Sequence, residues 1–202
     1  MEFAYLTYQG PPVDDFATLE KLPSALRGLL EQLNGFVQFG GGLHLRGACS
    51  APTWHSLGEV WSGKLALWKL YPEVLENDVP FGQDAVGDQF LLRGDVVHCL
   101  AGETGEVRSL FCDLTTFLTE AQADPERVLG LAPLLQFHEE GGELEPGQLL
   151  SVYPPFCMAQ AADGVSLRAV PVEDRIRFLA DFAKQIAGLG DGTSISIEGA
   201  QT

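Results

Sequence analysis

Two carboxylates four residues apart, Asp84 and Asp88, lie within Val79-Pro80-Phe81-Gly82-Gln83-Asp84-Ala85-Val86-Gly87-Asp88-Gln89-Phe90-Leu91-Leu92-Arg93. Paired acids on a tight turn could be catalytic, or could hold a hard cation, which takes several oxygen ligands. The dense alternating acids of a calcium loop are missing here, and no histidine is near in sequence. The two aspartates are therefore read as turn caps on a solvated or partner-facing edge, with no metal and no catalytic role.

The other reactive residue types are scattered. His44, His55, His98 and His138 fall on separate elements without paired metal-ligand spacing. His98 and Cys99 are adjacent on a strand and would point to opposite faces, which argues against a Cys-His dyad. Gly40-Gly41-Gly42 lacks the lysine and hydroxyl of a phosphate loop. No G-x-S-x-G elbow is present. Cys49, Cys99, Cys112 and Cys157 have no close pair and sit in apolar surroundings, so they are read as buried free thiols. Nothing in these patterns calls for catalysis or a cofactor.

The elements that position the acids can be read from periodicity. Val79–Phe81 and Phe90–Leu92 are apolar runs flanking a turn edged by Gly82 and Gly87. Val96–Leu100 and Val107–Phe111 flank a Gly-rich acidic turn and form a hairpin, and Gly94-Asp95 joins it to the preceding strand. The sum is a four-stranded antiparallel meander from Val79 to Phe111. The acids Asp84, Asp88, Asp95, Glu103 and Glu106 all fall in its turns and are expected to be exposed along one rim. That rim is the candidate partner-binding surface.

Upstream, Met1–Tyr5 alternates like a first strand. Asp14–Leu22 and Ser24–Leu33 read as helices, and Phe36–Phe39 and Leu43–Arg46 as strands about a glycine turn. Trp54, Trp61 and Trp68 recur every seven residues and, with Leu57, Val60, Leu65 and Leu75, suggest one apolar seam on two short helices. Downstream, Asp113 and Asp124-Pro125 open helices, the second weakened at Gly130 and Pro133. Residues 139–147 form an acidic loop. Leu149–Met158 and Val165–Val170 form a strand pair through Asp163-Gly164. Val172–Ala187 is an amphipathic helix, and residues 188–202 read as a flexible tail. The fold class is α+β: a central, mostly antiparallel sheet with N-terminal and C-terminal helices packed on one side, in a single domain spanning 1–202.

Composition narrows function. The chain has 202 residues, 12 basic and 28 acidic, for a formal charge of −16. Such a field repels nucleic-acid phosphates and anionic lipid, and it suits a basic protein partner. No apolar run approaches a membrane span and no signal-peptide pattern appears, so a cytoplasmic location is expected.

The Pro80-Phe81…Asp84…Gly87-Asp88…Phe90 segment resembles the PF-x-x-D-x-x-G-D-x-F core of the SUKH superfamily, the Smi/Knr-like proteins. Leu22-Pro23 leading to Asn34-Gly35, and Leu114, Phe117 and Leu118 after the hairpin, are similar to further stretches of that pattern. The resemblance covers roughly residues 20–120; the strand pair and helix after Pro133 depart from it. It implies an immunity protein that neutralises a cognate bacterial toxin by stoichiometric binding, without catalysis. Two alternatives stay open: a regulatory module like the cell-wall regulator relatives, or a small-molecule binder with a tryptophan-lined pocket.

Overall fold

The computed structural model describes residues 3–189. Seven strands, β1 (Leu6–Gln9), β2 (Phe36–Gln38), β3 (Leu43–Leu45), β4 (Val79–Asp84), β5 (Gln89–Arg93), β6 (Val96–Leu100) and β7 (Val107–Ser109), pair strictly in chain order. Each is antiparallel to the next. The meander expected from Val79 is β4–β7, and β1–β3 extend it. Its last strand stops at Ser109, because Phe111 takes a left-handed backbone (φ 56°) and is 92% exposed. The first strand starts at Leu6 because Tyr5 is left-handed too (φ 55°). Two further strands, β8 (Gln148–Tyr153) and β9 (Ser166–Pro171), form a second antiparallel sheet. The fold is therefore α+β. β8 ends five residues before the expected Met158, where Pro154 and Pro155 offer no N–H to a ladder.

Eight helices surround the sheets among the described residues: α1 (Phe16–Leu19), α2 (Ser24–Gln32), α3 (Leu57–Trp61), α4 (Leu67–Leu70), α5 (Leu114–Ala123), α6 (Pro125–Leu129), α7 (Ala132–Glu139) and α8 (Val172–Ile186). Asp15, Ser56, Asp113 and Asp124 each accept a hydrogen bond from an amide of the first turn of α1, α3, α5 and α6. Such a cap contributes about 1 kcal/mol. α1 is shorter than the expected Asp14–Leu22, since Asp15 caps it. The stretch from Pro125 is two helices instead of one: Gly130 adopts the left-handed conformation (φ 62°) that ends α6.

Side chains alternate along a strand, so each face of the sheet collects every second residue. One face carries Phe36, Leu43, Leu45, Phe81, Phe90, Leu92, Val97 and Cys99, packed with Leu26 and Leu30 of α2 and Phe117 and Leu118 of α5. The other carries Leu91 and Leu100, packed with Leu67 of α4, Tyr71, Leu149 of β8 and Ile176 and Ala180 of α8. Helices therefore cover both faces, which corrects the one-sided expectation. Double coverage is why β4 is buried along its whole length and β5 along all but its last residue. The tryptophan seam also divides. Trp61 packs on the first cluster and Trp54 and Trp68 on the second, while Leu75 is 49% exposed. Cys49 and Cys99 are buried free thiols as expected, Cys112 is half-buried, and Cys157 is exposed. The tail expected at 188–202 lies, from residue 190 on, outside the described residues.

Candidate functional site

The β4–β5 turn is organised by Asp84. Its Oδ1 accepts hydrogen bonds from the amides of Val86 (3.0 Å), Gly87 (2.9 Å) and Asp88 (2.9 Å). Turn capping was expected of it; exposure was not. Asp84 is buried, because α8 closes over the turn. A Cβ on Gly87 would stand 2.7 Å from Leu179 Cδ1, and Gly87 also needs its positive φ (103°). Any other residue would strain the backbone there and force the Leu179 side chain to move. Asp88 is half-buried and reaches the neighbouring turn, where its Oδ1 accepts from Gly102 N (2.8 Å).

Arg175 of α8 is the counterweight to these acids. Its side chain is 1% exposed; Nε donates to Val86 O (3.0 Å) and Nη2 lies 4.0 Å from Glu103 Oε1. Glu103 is half-buried and tethers a third segment, accepting from Phe156 N (3.1 Å) and Cys157 N (3.0 Å). Burial, and then the proximity of Asp88, push the Asp84 carboxyl well above its usual range, against the pull of three amides. Burial raises Asp88 as well. The guanidinium makes no ion pair with Asp84 or Asp88 among the described residues; their charges act on it through space, and its buried Nη1 has no hydrogen-bond partner. Among the described residues, no three His, Cys, Asp or Glu side chains are grouped so as to hold a metal ion.

The five expected rim residues therefore separate. In an antiparallel meander, alternate turns lie at opposite ends. Asp84, Asp88, Glu103 and Glu106 share one end, and Asp95, in the β5–β6 turn, occupies the other. The single-rim expectation is corrected accordingly. Of the five, Asp95 and Glu106 alone are exposed. At the shared end a groove of about 290 Å³ opens between the β6–β7 turn, Tyr71 and α8, with Glu73 and Glu106 among its lining residues.

Sequence reasoning missed a second polar cluster. Strand register sets His44, Gln83 and Gln89 side by side across β3, β4 and β5. Arg46, fully buried, donates to Pro80 O (3.0 Å), Gly82 O (3.2 Å), Gln89 Oε1 (2.6 Å) and Gln83 Oε1. Gln83 Nε2 meets His44 Nδ1 (3.2 Å), His44 Nε2 meets His55 Nδ1 (2.9 Å), and His55 Nε2 meets Asn34 O (3.0 Å). The Asn34 carbonyl can only accept, so His55 carries its proton on Nε2 and accepts at Nδ1. His44 then donates from Nε2 and accepts from Gln83. The result is a one-way relay from guanidinium to carbonyl through two neutral imidazoles. Burial, followed by the Arg46 charge, holds His44 well below the usual imidazole range. Burial brings His55 down to about 4, and Arg46 to about 9. The ring of Trp54 packs tilted or edge-on against both histidines, with centroids 5.2 and 5.3 Å away. The available signal was the period-two polar row itself, which in a sheet solvated on one face would simply point to water.

No helix among the described residues is long and apolar enough to cross a membrane. No protein-family model matches the chain, and no curated protein matches it. The fold is similar to the crystal structure of Atu4351 from Agrobacterium tumefaciens, with a TM-score of 0.53 and 13% identity over 88% of this chain and 85% of that one. At that identity the likeness establishes the shared α+β architecture.

Proposed function

We propose that the chain is a non-catalytic protein-binding domain of the immunity type, acting in the cytoplasm without a cofactor. It neutralises a basic toxin domain by stoichiometric occupation. The observation that carries this reading is the division of its acids. With a net charge of −16 the surface is strongly anionic, and Glu73, Asp95 and Glu106 are exposed. Asp84 and Asp88, whose carboxyls burial raises, are instead turned onto the protein's own amides. An exposed anionic field accelerates encounter with a basic protein and discourages polyanions. The resemblance of the Pro80–Phe90 segment to SUKH immunity proteins supplies the partner class.

Affinity capture of the tagged protein from its source lysate, at low and moderate salt, tests this. The expected result is one stoichiometric partner with a basic, toxin-like domain, weakened by salt. Recovery of endogenous housekeeping proteins alone would replace the immunity reading with a regulatory one.

A further inference from the structure

We propose that the groove between the β6–β7 turn and α8 receives a single lysine or arginine side chain projecting from the basic partner. The inference rests on the protein-binding reading above and names its contact. Size is the first argument. At about 290 Å³ the groove lies at the bottom of the range of roughly 300–1,000 Å³ for small-molecule sites, so one long side chain suits it better than a metabolite.

Its lining is the second argument. Ala180 and Ala183 of α8, both buried, and the exposed Ala187 just beyond its end line the groove opposite Gly105 and Tyr71. Lysine and arginine lay a carbon stem along such surface and keep the charged head at its edge. The edge is where Glu73 and Glu106 stand, both exposed and neither in an ion pair among the described residues. Lys184 also lines the groove, but its ammonium is turned to Asp181 at 3.5 Å. A purely apolar side chain would cover the same surface and leave Glu106 partly desolvated without a counter-charge, and Glu73 with only Arg93, which is already paired to Asp78. Charge complementarity therefore selects a cation.

The test is an NMR titration of the full chain with N-acetyl-Gly-Arg-Gly-amide at low salt, alongside the citrulline peptide of the same shape without charge. Saturable shifts confined to the surroundings of Gly105, Ala183 and Ala187 are expected for the arginine peptide alone. Glu73→Gln and Glu106→Gln, both at exposed positions, should each weaken binding by up to about fivefold. Ala183→Leu, which fills the groove, should abolish it. Equal binding of the citrulline peptide, or shifts centred on the Asp95 turn, would overturn the proposal. So would binding that appears only after residues 190–202 are removed, since the groove would then belong to the chain's own terminal segment. The two readings fail separately. If the Glu73→Gln, Glu106→Gln double variant captures the partner undiminished, the groove is wrong and protein binding stands. Saturable peptide binding without any captured toxin-like partner leaves the groove in place and removes the immunity reading.

Discussion

The relay of Arg46, Gln83, His44 and His55 and the cluster of Asp84, Asp88, Glu103 and Arg175 solve the same problem in opposite ways. Each buries a guanidinium against the sheet. Arg46 is surrounded by carbonyl oxygens, with two neutral imidazoles beyond, so the site holds one charge and many aligned dipoles. Arg175 lies 4.0 Å from Glu103 and within the field of Asp84 and Asp88, both of which burial pushes toward their neutral form. The first cluster is closed under Trp54 and ties strands to one another. The second ties turns to α8 and borders the groove. The first is closed from solvent and structural; the second stands beside the groove where the proposed partner would dock.

Arg46→Met draws the contrast most sharply. It removes the guanidinium from Pro80 O, Gly82 O and Gln89 Oε1 and leaves Gln83 Oε1 only the amide of Gln89, and an unsatisfied buried acceptor costs about 1–3 kcal/mol. Because the four relax together, a loss of about 3–5 kcal/mol is expected in urea unfolding. A value within 1 kcal/mol of the parent would remove the relay's structural role.

Acid separates the clusters by sign. The His55 imidazole falls from an ordinary value of 6.5 to about 4 on folding. Its contribution is present above pH 6.5 and is lost as pH falls toward 4, amounting to a destabilisation on the order of 3 kcal/mol. His44 acts in the same direction. Asp84 opposes them: its raised carboxyl gains a proton in the native state first, so it favours the fold as pH falls through its native value. Stability measured in denaturant from pH 7 to 4 should decline, and more steeply in Asp84→Asn. An Asp84→Asn profile parallel to the parent's would contradict the assignment.

At neutral pH the same substitution should be mild. Asn keeps the oxygen that accepts from the three turn amides and sheds the repulsion from Asp88, so thermal unfolding should report a change of no more than about 1 kcal/mol. A loss as large as that of Arg46→Met would make the two clusters equivalent. Smallest of all, Asp95→Lys and Glu106→Lys should each move stability by less than about 0.5 kcal/mol, since both side chains stand in water.

The meander was legible because its turns carry glycine and aspartate between apolar runs, and the caps at Asp113 and Asp124 announced their helices. What the sequence hid was coverage. His44, Arg46, Gln83 and Gln89 alternate with core residues as a solvated face would, and only the packing of Trp54, β8 and α8 over them turns that row inward. The same layer buries Asp84: Leu150 N bonds Ala85 O (2.8 Å), and α8 reaches Gly87. Long-range closure of this kind leaves no local periodicity. The placement of Asp95, by contrast, follows from strand order alone.

Association kinetics between this protein and its captured partner, recorded for Glu106→Lys and Asp95→Lys across ionic strength, decide which end of the sheet meets the partner. The two substitutions change net charge equally at opposite ends of one meander. Glu106→Lys is expected to slow association by about tenfold at low salt and flatten its salt dependence, while Asp95→Lys stays within about twofold of the parent. Equal slowing by both would show that only overall charge matters, and a larger effect at Asp95 would move the binding surface to the other end of the sheet.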